Sequence, residues 1–296
     1  MRIHRTYPFL HAFIFSGCAL VASTKLYEGF DMPTGVGKNL GSSEETRSGR
    51  SSKGWHSTWQ VSKGKTQVSP EDLTIKGLQS TEGAILVKGE RKERAIGQGI
   101  AIRQIGLGYQ GNVFGSFRFR PGHLIQESAL GLLLSLPGKE SATPRSATFA
   151  ICPKRWGSAN GMVGAGQNKI VKNESGIECY PEETYLVLWK MKQLPKLGKR
   201  SNIGVKMWVL DSRQAAYYAA QGFSEAALDQ AGEGSEADQV SQSMETSVPN
   251  SRRGIFRGMI ISCFSVGMPR VFFDEICLSV KSLDEAAGRT SGKEKD

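Results

Sequence analysis

The sequence predicts an all-β sandwich or jelly roll. From Tyr27 onward short apolar runs recur with turn residues between them, the clearest of these runs alternate with a period of two, and 35 glycines are scattered without period through the 296 residues. That pattern describes many short strands joined by tight turns, with little helix. In 184–191, Tyr185, Val187, Trp189 and Met191 fall on one face, and Leu186, Leu188 and Lys190 on the other, so this strand is apolar on one side and nearly so on its reverse, as a central strand is. In 205–210, Val205, Met207 and Val209 alternate with Lys206, Trp208 and Leu210. In 113–120, Val113, Gly115, Phe117 and Phe119 alternate with Phe114, Ser116, Arg118 and Arg120. Further strands are expected at 73–78, 84–88, 96–105, 130–136, 147–152, 255–264 and 271–280. A single helical patch, 213–228, is rich in Ala and Gln. It leads into 229–253, where Ser, Glu, Gln and Gly dominate, read as a mobile polar insertion. Residues 39–53 read as a loop, and 283–296 as a disordered tail.

The N-terminus has a different layout. Arg2, His4 and Arg5 precede an apolar stretch from Tyr7 to Ala22, followed by Val21-Ala22-Ser23, the three-part order of a signal peptide spanning 1–23. The stretch is short and interrupted by Pro8 and His11, so a removed signal is favoured over an anchoring helix. A second reading takes Phe15-Ser16-Gly17-Cys18 as a lipobox, with Cys18 lipidated and the protein held at the cell surface. Either way the chain is exported, 24–282 form one sandwich domain, and no later segment is long and apolar enough for a transmembrane span.

Loss of Arg2 and Arg5 with the signal takes the formal charge from +10 to +8. A basic balance fits solvated strand faces, an anionic envelope polymer or an acidic polysaccharide. No helix-turn-helix, zinc-finger spacing or basic run with interleaved aromatics is present, which argues against nucleic acid as a partner.

Three stretches carry a family resemblance: Tyr27-Glu28-Gly29-Phe30-Asp31, Gly54-Trp55-His56-Ser57-Thr58-Trp59 and Phe272-Phe273-Asp274-Glu275-Ile276. In this order they resemble exported bacterial proteins of the concanavalin A-like lectin/glucanase superfamily, the last stretch being similar to the closing strand of laminin-G-like modules. The resemblance implies a jelly-roll β-sandwich whose first and last strands lie together, with Phe30 and Phe272 in the core. The polar insertion departs from the pattern. The fold hosts lectins, hydrolases, lyases and adhesive modules, so it does not decide function.

Glucanases of this superfamily use two carboxylates two or four residues apart on one strand, where alternate residues flank one glycosidic bond. That spacing is missing here. Asp274 and Glu275 are adjacent, and on a regular strand they point to opposite faces. They read as structural, one capping the sheet edge or bonding loop backbone and the other solvated; a calcium site is the alternative use of Asp274, with Asp31 brought beside it by pairing of the terminal strands, and no other cofactor is expected. Only His56 and His123 lie outside the signal, too few for a His-rich zinc site or a Ser-His-Asp triad. Arg118, Arg120, Lys190 and Lys206, with His123 nearby, suit a lyase that neutralises a uronate, and solvated basic side chains are the plainer reading. Gly106-Leu107-Gly108-Tyr109-Gln110-Gly111 matches a dinucleotide fingerprint but precedes a strand, so it reads as a hairpin turn. Cys152 and Cys179 bracket a Gly-rich loop whose closure by a disulfide contributes roughly 3 to 4 kcal/mol. Cys263 and Cys277 are either a second pair or buried thiols. Trp189 and Trp208 read as core, whereas Trp156, and second Trp55, are the candidates for an aromatic platform under a sugar ring, packing under a loop being the plainer reading. The resulting expectation is a secreted, non-catalytic module that binds carbohydrate or another surface polymer through Trp156, Trp55, Arg118 and Arg120. A lyase or hydrolase of the same fold, and an envelope structural protein without a small ligand, are the alternatives.

Overall fold

The computed structural model describes residues 25–30, 59–89, 91–92, 95–96, 98–104, 111–122, 129–135, 149–155, 158–163, 171–172, 177–178, 180–193, 201–230, 241–250, 260–266 and 270–289. Through them run β1 (Lys25–Glu28), β2 (Gln60–Lys63), β3 (Lys65–Ser69), β4 (Ala84–Lys88), β5 (Arg91–Lys92), β6 (Ala95–Ile96), β7 (Gln98–Gln104), β8 (Asn112–Pro121) and β9 (Ala129–Ser135). Then come β10 (Phe149–Arg155), β11 (Ser158–Val163), β12 (Val171–Lys172), β13 (Ile177–Glu178), β14 (Tyr185–Gln193), β15 (Ser201–Asp211), α1 (Ser212–Gln221), α2 (Glu225–Gln230), β16 (Ser241–Asn250), β17 (Ile260–Val266), β18 (Val271–Ser279) and α3 (Leu283–Ala287).

Two antiparallel eight-stranded sheets form an open, jelly-roll-like β-sandwich with helical insertions. The first has the order β16-β15-β14-β8-β18-β4-β3, with β1 also on β18. The second has the order β12-β11-β10-β9-β17-β7-β2, with β13 on β11; β5 and β6 form a separate ribbon. The chain passes from one sheet to the other between β1 and β2, β2 and β3, β4 and β7, β7 and β8, β8 and β9, β13 and β14, β16 and β17, and β17 and β18, the alternation that distinguishes a jelly roll from a meander. The Gly-rich stretch 106–111, read as a hairpin turn, lies outside the described residues apart from Gly111; the strands that flank it, β7 and β8, belong to different sheets and are not paired.

β14 is central as its pattern demands, lying between β8 and β15 in a continuous register with both. Val113, Phe117, Phe119, Tyr185, Val187, Trp189, Met207, Val209 and Phe273 are buried beneath the second sheet. Trp189 lies opposite Gly115, where a Cβ would fall 2.0 Å from the indole, so only glycine admits that ring. The reverse face of the same strands is covered by helices. Phe114, Leu186, Leu188, Trp208 and Leu210 pack with Ala215, Tyr218, Ala219, Phe223, Leu228, Leu283, Ala286 and Ala287 in one apolar cluster.

Sequence explains the helix ends. Asp211 caps α1 by accepting from Gln214 N at 2.7 Å, while the Gln214 side chain accepts from Asp211 N at 3.0 Å, a reciprocal capping box. Gly222, at φ 109, divides the expected helical patch into α1 and α2. Residues 283–287, assigned to a disordered tail, instead form α3. Ser282 caps it and accepts from Glu285 N, Gly288 closes it in the left-handed region, and Leu283, Ala286 and Ala287 are buried.

Two other expectations need correcting. Residues 241–250, within the expected insertion, form edge strand β16 in register with β15, since backbone pairing needs no apolar face. Residues 73–78 do not form a strand. Leu73, Ile75 and Leu78 are buried, as their alternation suggests, but a turn at Lys76 and Gly77 breaks the segment, and its backbone bonds to side chains instead of a ladder.

β1 pairs with β18, joining Tyr27 to Cys277 and Glu28 to Ile276 in register, and Phe30 and Phe272 are both buried. Trp59, ahead of β2, packs on Phe30 at 5.4 Å between ring centroids and donates from Nε1 to Glu28 Oε2 at 3.3 Å, which ties the two sheets at this edge.

Candidate functional site

Arg118 and Asp274 are register partners on β8 and β18, on the face away from the second sheet. Immediately after Asp274 the ladder slips: Glu275 takes φ 51 and forms a bulge. The bulge corrects the expectation that neighbouring carboxylates point to opposite faces, because it turns both into one buried hub. Asp274 accepts from Leu73 N at 3.3 Å and Glu275 N at 2.8 Å. Glu275 accepts from Thr81 N at 2.7 Å and from the Tyr27 hydroxyl. Thr81 Oγ1 donates to Gly29 O at 2.6 Å and lies 3.1 Å from Glu275 Oε1. Arg118 donates to Leu73 O at 3.0 Å, Ser80 Oγ at 3.2 Å and Gln79 O at 2.5 Å. Burial pushes the carboxyls of Asp274 and Glu275 above the ordinary carboxylate range, and the Arg118 guanidinium pulls both back in part. Burial also raises the Tyr27 hydroxyl, with Glu275 adding to the shift.

This hub fastens the 71–83 loop to the terminal strands. Arg118, expected to meet a ligand, is 1% exposed and spent on loop carbonyls, so that expectation does not stand. Asp31, the other half of the expected calcium pair, lies outside the described residues, as do Cys18, Trp55, His56, His123, Trp156 and Cys179. Cys152 is described only as a backbone position opposite Asn160. Among the described residues no three His, Cys, Asp or Glu side chains gather as metal ligands. Cys263 and Cys277 are free and buried, on strands of different sheets. Burial pushes both thiols up, Cys277 to about 12.

A solvent-open groove of about 570 Å³ lies beside the hub, lined by Thr74, Tyr180, Glu182, Glu183, Thr184, Asp211, Ser212 and Arg213. One wall is the turn before β14, held by Tyr185, whose hydroxyl accepts from Tyr180 N at 2.7 Å and donates to Glu183 Oε2 at 3.0 Å. Glu182, at φ 62, donates from its N to Pro121 O at 2.7 Å and its carboxylate meets Arg270 at 2.5 Å. The other wall is the start of α1. Arg120, the second arginine expected to bind ligand, stands at the margin. It donates to Thr184 Oγ1 at 3.2 and 3.3 Å, to Glu71 Oε2 at 2.9 Å and to Asp72 O at 3.1 Å. Tyr180 is 41% exposed. Sequence reasoning missed this groove because it joins residues from three separated segments, none bearing a motif. Tyr180-Pro181-Glu182-Glu183, a turn with an aromatic at its start, was the one local signal.

No family model matches the sequence, and no curated protein does. Solved structures of similar layout include alginate lyase Aly36B, with a TM-score of 0.41 at 10% identity over 88% of this chain and 98% of that one. The carbohydrate recognition domain of Emp47p gives a TM-score of 0.40 at 10% identity over 86% and 94%. A glycosyl hydrolase family protein from Mycobacterium fortuitum gives 0.39 at 11% identity over 85% and 97%. What stands of the family resemblance is the architecture, an open, jelly-roll-like β-sandwich; nothing marks a laminin-G-like subtype. The expectation that the chain is not an enzyme is withdrawn: alginate lyases and glycosyl hydrolase family proteins are among the structures of similar layout. Among the described residues no helix is long and apolar enough to cross a membrane.

Proposed function

We propose that the chain is an exported protein that engages a carbohydrate polymer at the groove between the β13–β14 turn and the start of α1. The observation that carries this reading is Tyr180, an exposed ring at the edge of an otherwise polar groove. A tyrosine presents an apolar face to the C–H side of a pyranose and keeps its hydroxyl wet, while the flanking hydroxyls and carboxylates accept and donate around the ring. Thr74, Thr184, Ser212, Glu183 and Arg213 provide those groups. Export rests on the 1–23 segment.

The test is binding of the purified chain, lacking 1–23, to a panel of neutral and acidic polysaccharides, with polymer length followed in the same tubes. Saturable binding that Tyr180→Ala weakens about tenfold or more supports the groove, and shortening of the bound polymer makes the protein an enzyme. Binding that Tyr180→Ala leaves untouched moves the site elsewhere, and silence across the panel rejects the reading.

A further inference from the structure

Lys190 and Lys206 are register partners on β14 and β15, so two ammonium groups stand side by side on the helix-covered face. Like charges placed directly opposite destabilise a sheet unless something neutralises them. Here α2 does so. Glu225 pairs with Lys190, and Asp229, one helical turn later, pairs with Lys206 at 2.5 Å while also accepting from Trp208 Nε1 at 2.9 Å. The floor between the lysines is aromatic: Lys190 Nζ lies 5.6 Å from the Phe114 ring centroid and Lys206 Nζ lies 5.2 Å from that of Trp208. Two cations over aromatic faces, filled by two carboxylates about 6 Å apart along a helix, form a bay matched to a chain of regularly spaced acids.

The covering helix is lightly held. It has six residues and follows Gly222 at φ 109; Leu228 is its buried apolar side chain, and Ala227 is partly buried. Both ion pairs remain partly exposed to solvent, where such pairs contribute little. We propose that α2 is an internal acidic plug on a second binding site, and that a polycarboxylate displaces Glu225 and Asp229 from Lys190 and Lys206. This goes beyond the Tyr180 groove and does not depend on it, since the two sites share no residue.

The experiment titrates sodium polygalacturonate, with uncharged dextran as control, into the wild-type chain, Glu225→Gln/Asp229→Asn, and that variant carrying Lys190→Ala/Lys206→Ala. The plug predicts affinity for polygalacturonate raised about tenfold or more by the double variant, returned to wild type by loss of the lysines, and absent for dextran. An equal affinity in wild type and a folded double variant overturns the proposal, and so does a gain that survives loss of the lysines. If the double variant does not fold, hydrogen exchange of amides 225–230 in the wild type decides. Faster exchange with polymer than without supports displacement, and unchanged exchange rejects it. Repeating the comparison in a Tyr180→Ala background separates failure here from failure of the groove: whatever the groove contributes to binding, the gain between closed and open plug is the same size with and without Tyr180, because the bay does not contain it.

Discussion

The helix-covered face of the first sheet is sealed in two ways. Over β14 and β15 the seal is apolar: Trp208, Leu186, Leu188 and Leu210 meet α1, α2 and α3, and the charges stay at the margin. Over β18 the seal is ionic: Arg118, Asp274 and Glu275 are buried outright and hold a loop by its backbone. An apolar seal tolerates imperfect geometry because dispersion and burial are non-directional, whereas a buried charge network stands or falls with each partner. One end of the sheet is thus adaptable and the other all-or-none.

Arg118→Met breaks that contrast most sharply. It leaves two carboxyls buried without their cation and the Leu73 and Gln79 carbonyls without a donor, so a loss of about 3 to 5 kcal/mol is expected by urea denaturation. A loss under about 1 kcal/mol means the hub is not a structural unit. Leu228→Ala, at the apolar end, costs less, about 2 kcal/mol, because a short helix settles toward the space it leaves. A loss as large as that of Arg118→Met erases the distinction between the ends. The smallest expected effect is a slope. Asp274 and Glu275 have raised folded pKa values, so between the ordinary carboxylate range near pH 4 and those raised values the folded chain binds more protons than the unfolded one. Their contribution is complete below that window and is lost as pH rises through it. Glu275→Gln flattens the fall of melting temperature with pH, and an unaltered profile assigns the slope to other groups.

Much of the apolar seal was legible in the sequence. Alternation along 113–120, 184–191 and 205–210 marked β8, β14 and β15, and the apolar reverse of β14 announced a covering layer. The helices of that layer were half seen: α3 was lost to the tail although Ser282 and Glu285 carry a capping pattern and Gly288 a stop. The ionic seal was not legible. Arg118 and Asp274 meet only through the register of β8 and β18, and the bulge that turns Glu275 inward is a backbone event with no residue signature. Periodicity reports which side chains are buried, which is why 73–78 passed for a strand; it does not report where the backbone bonds go.

The bond between Tyr27 and Glu275 spans 248 positions of sequence. Among the described residues β1 pairs with β18 alone, and β18 also supplies the central link between β8 and β4. Until that late strand has been made, the first sheet exists as three pieces, β16-β15-β14-β8, β4-β3 and β1, and only β18 joins them. A sheet whose joining strand lies so near the end of the chain is completed only when almost all of the polypeptide has been made, an order of events that suits the export proposed above.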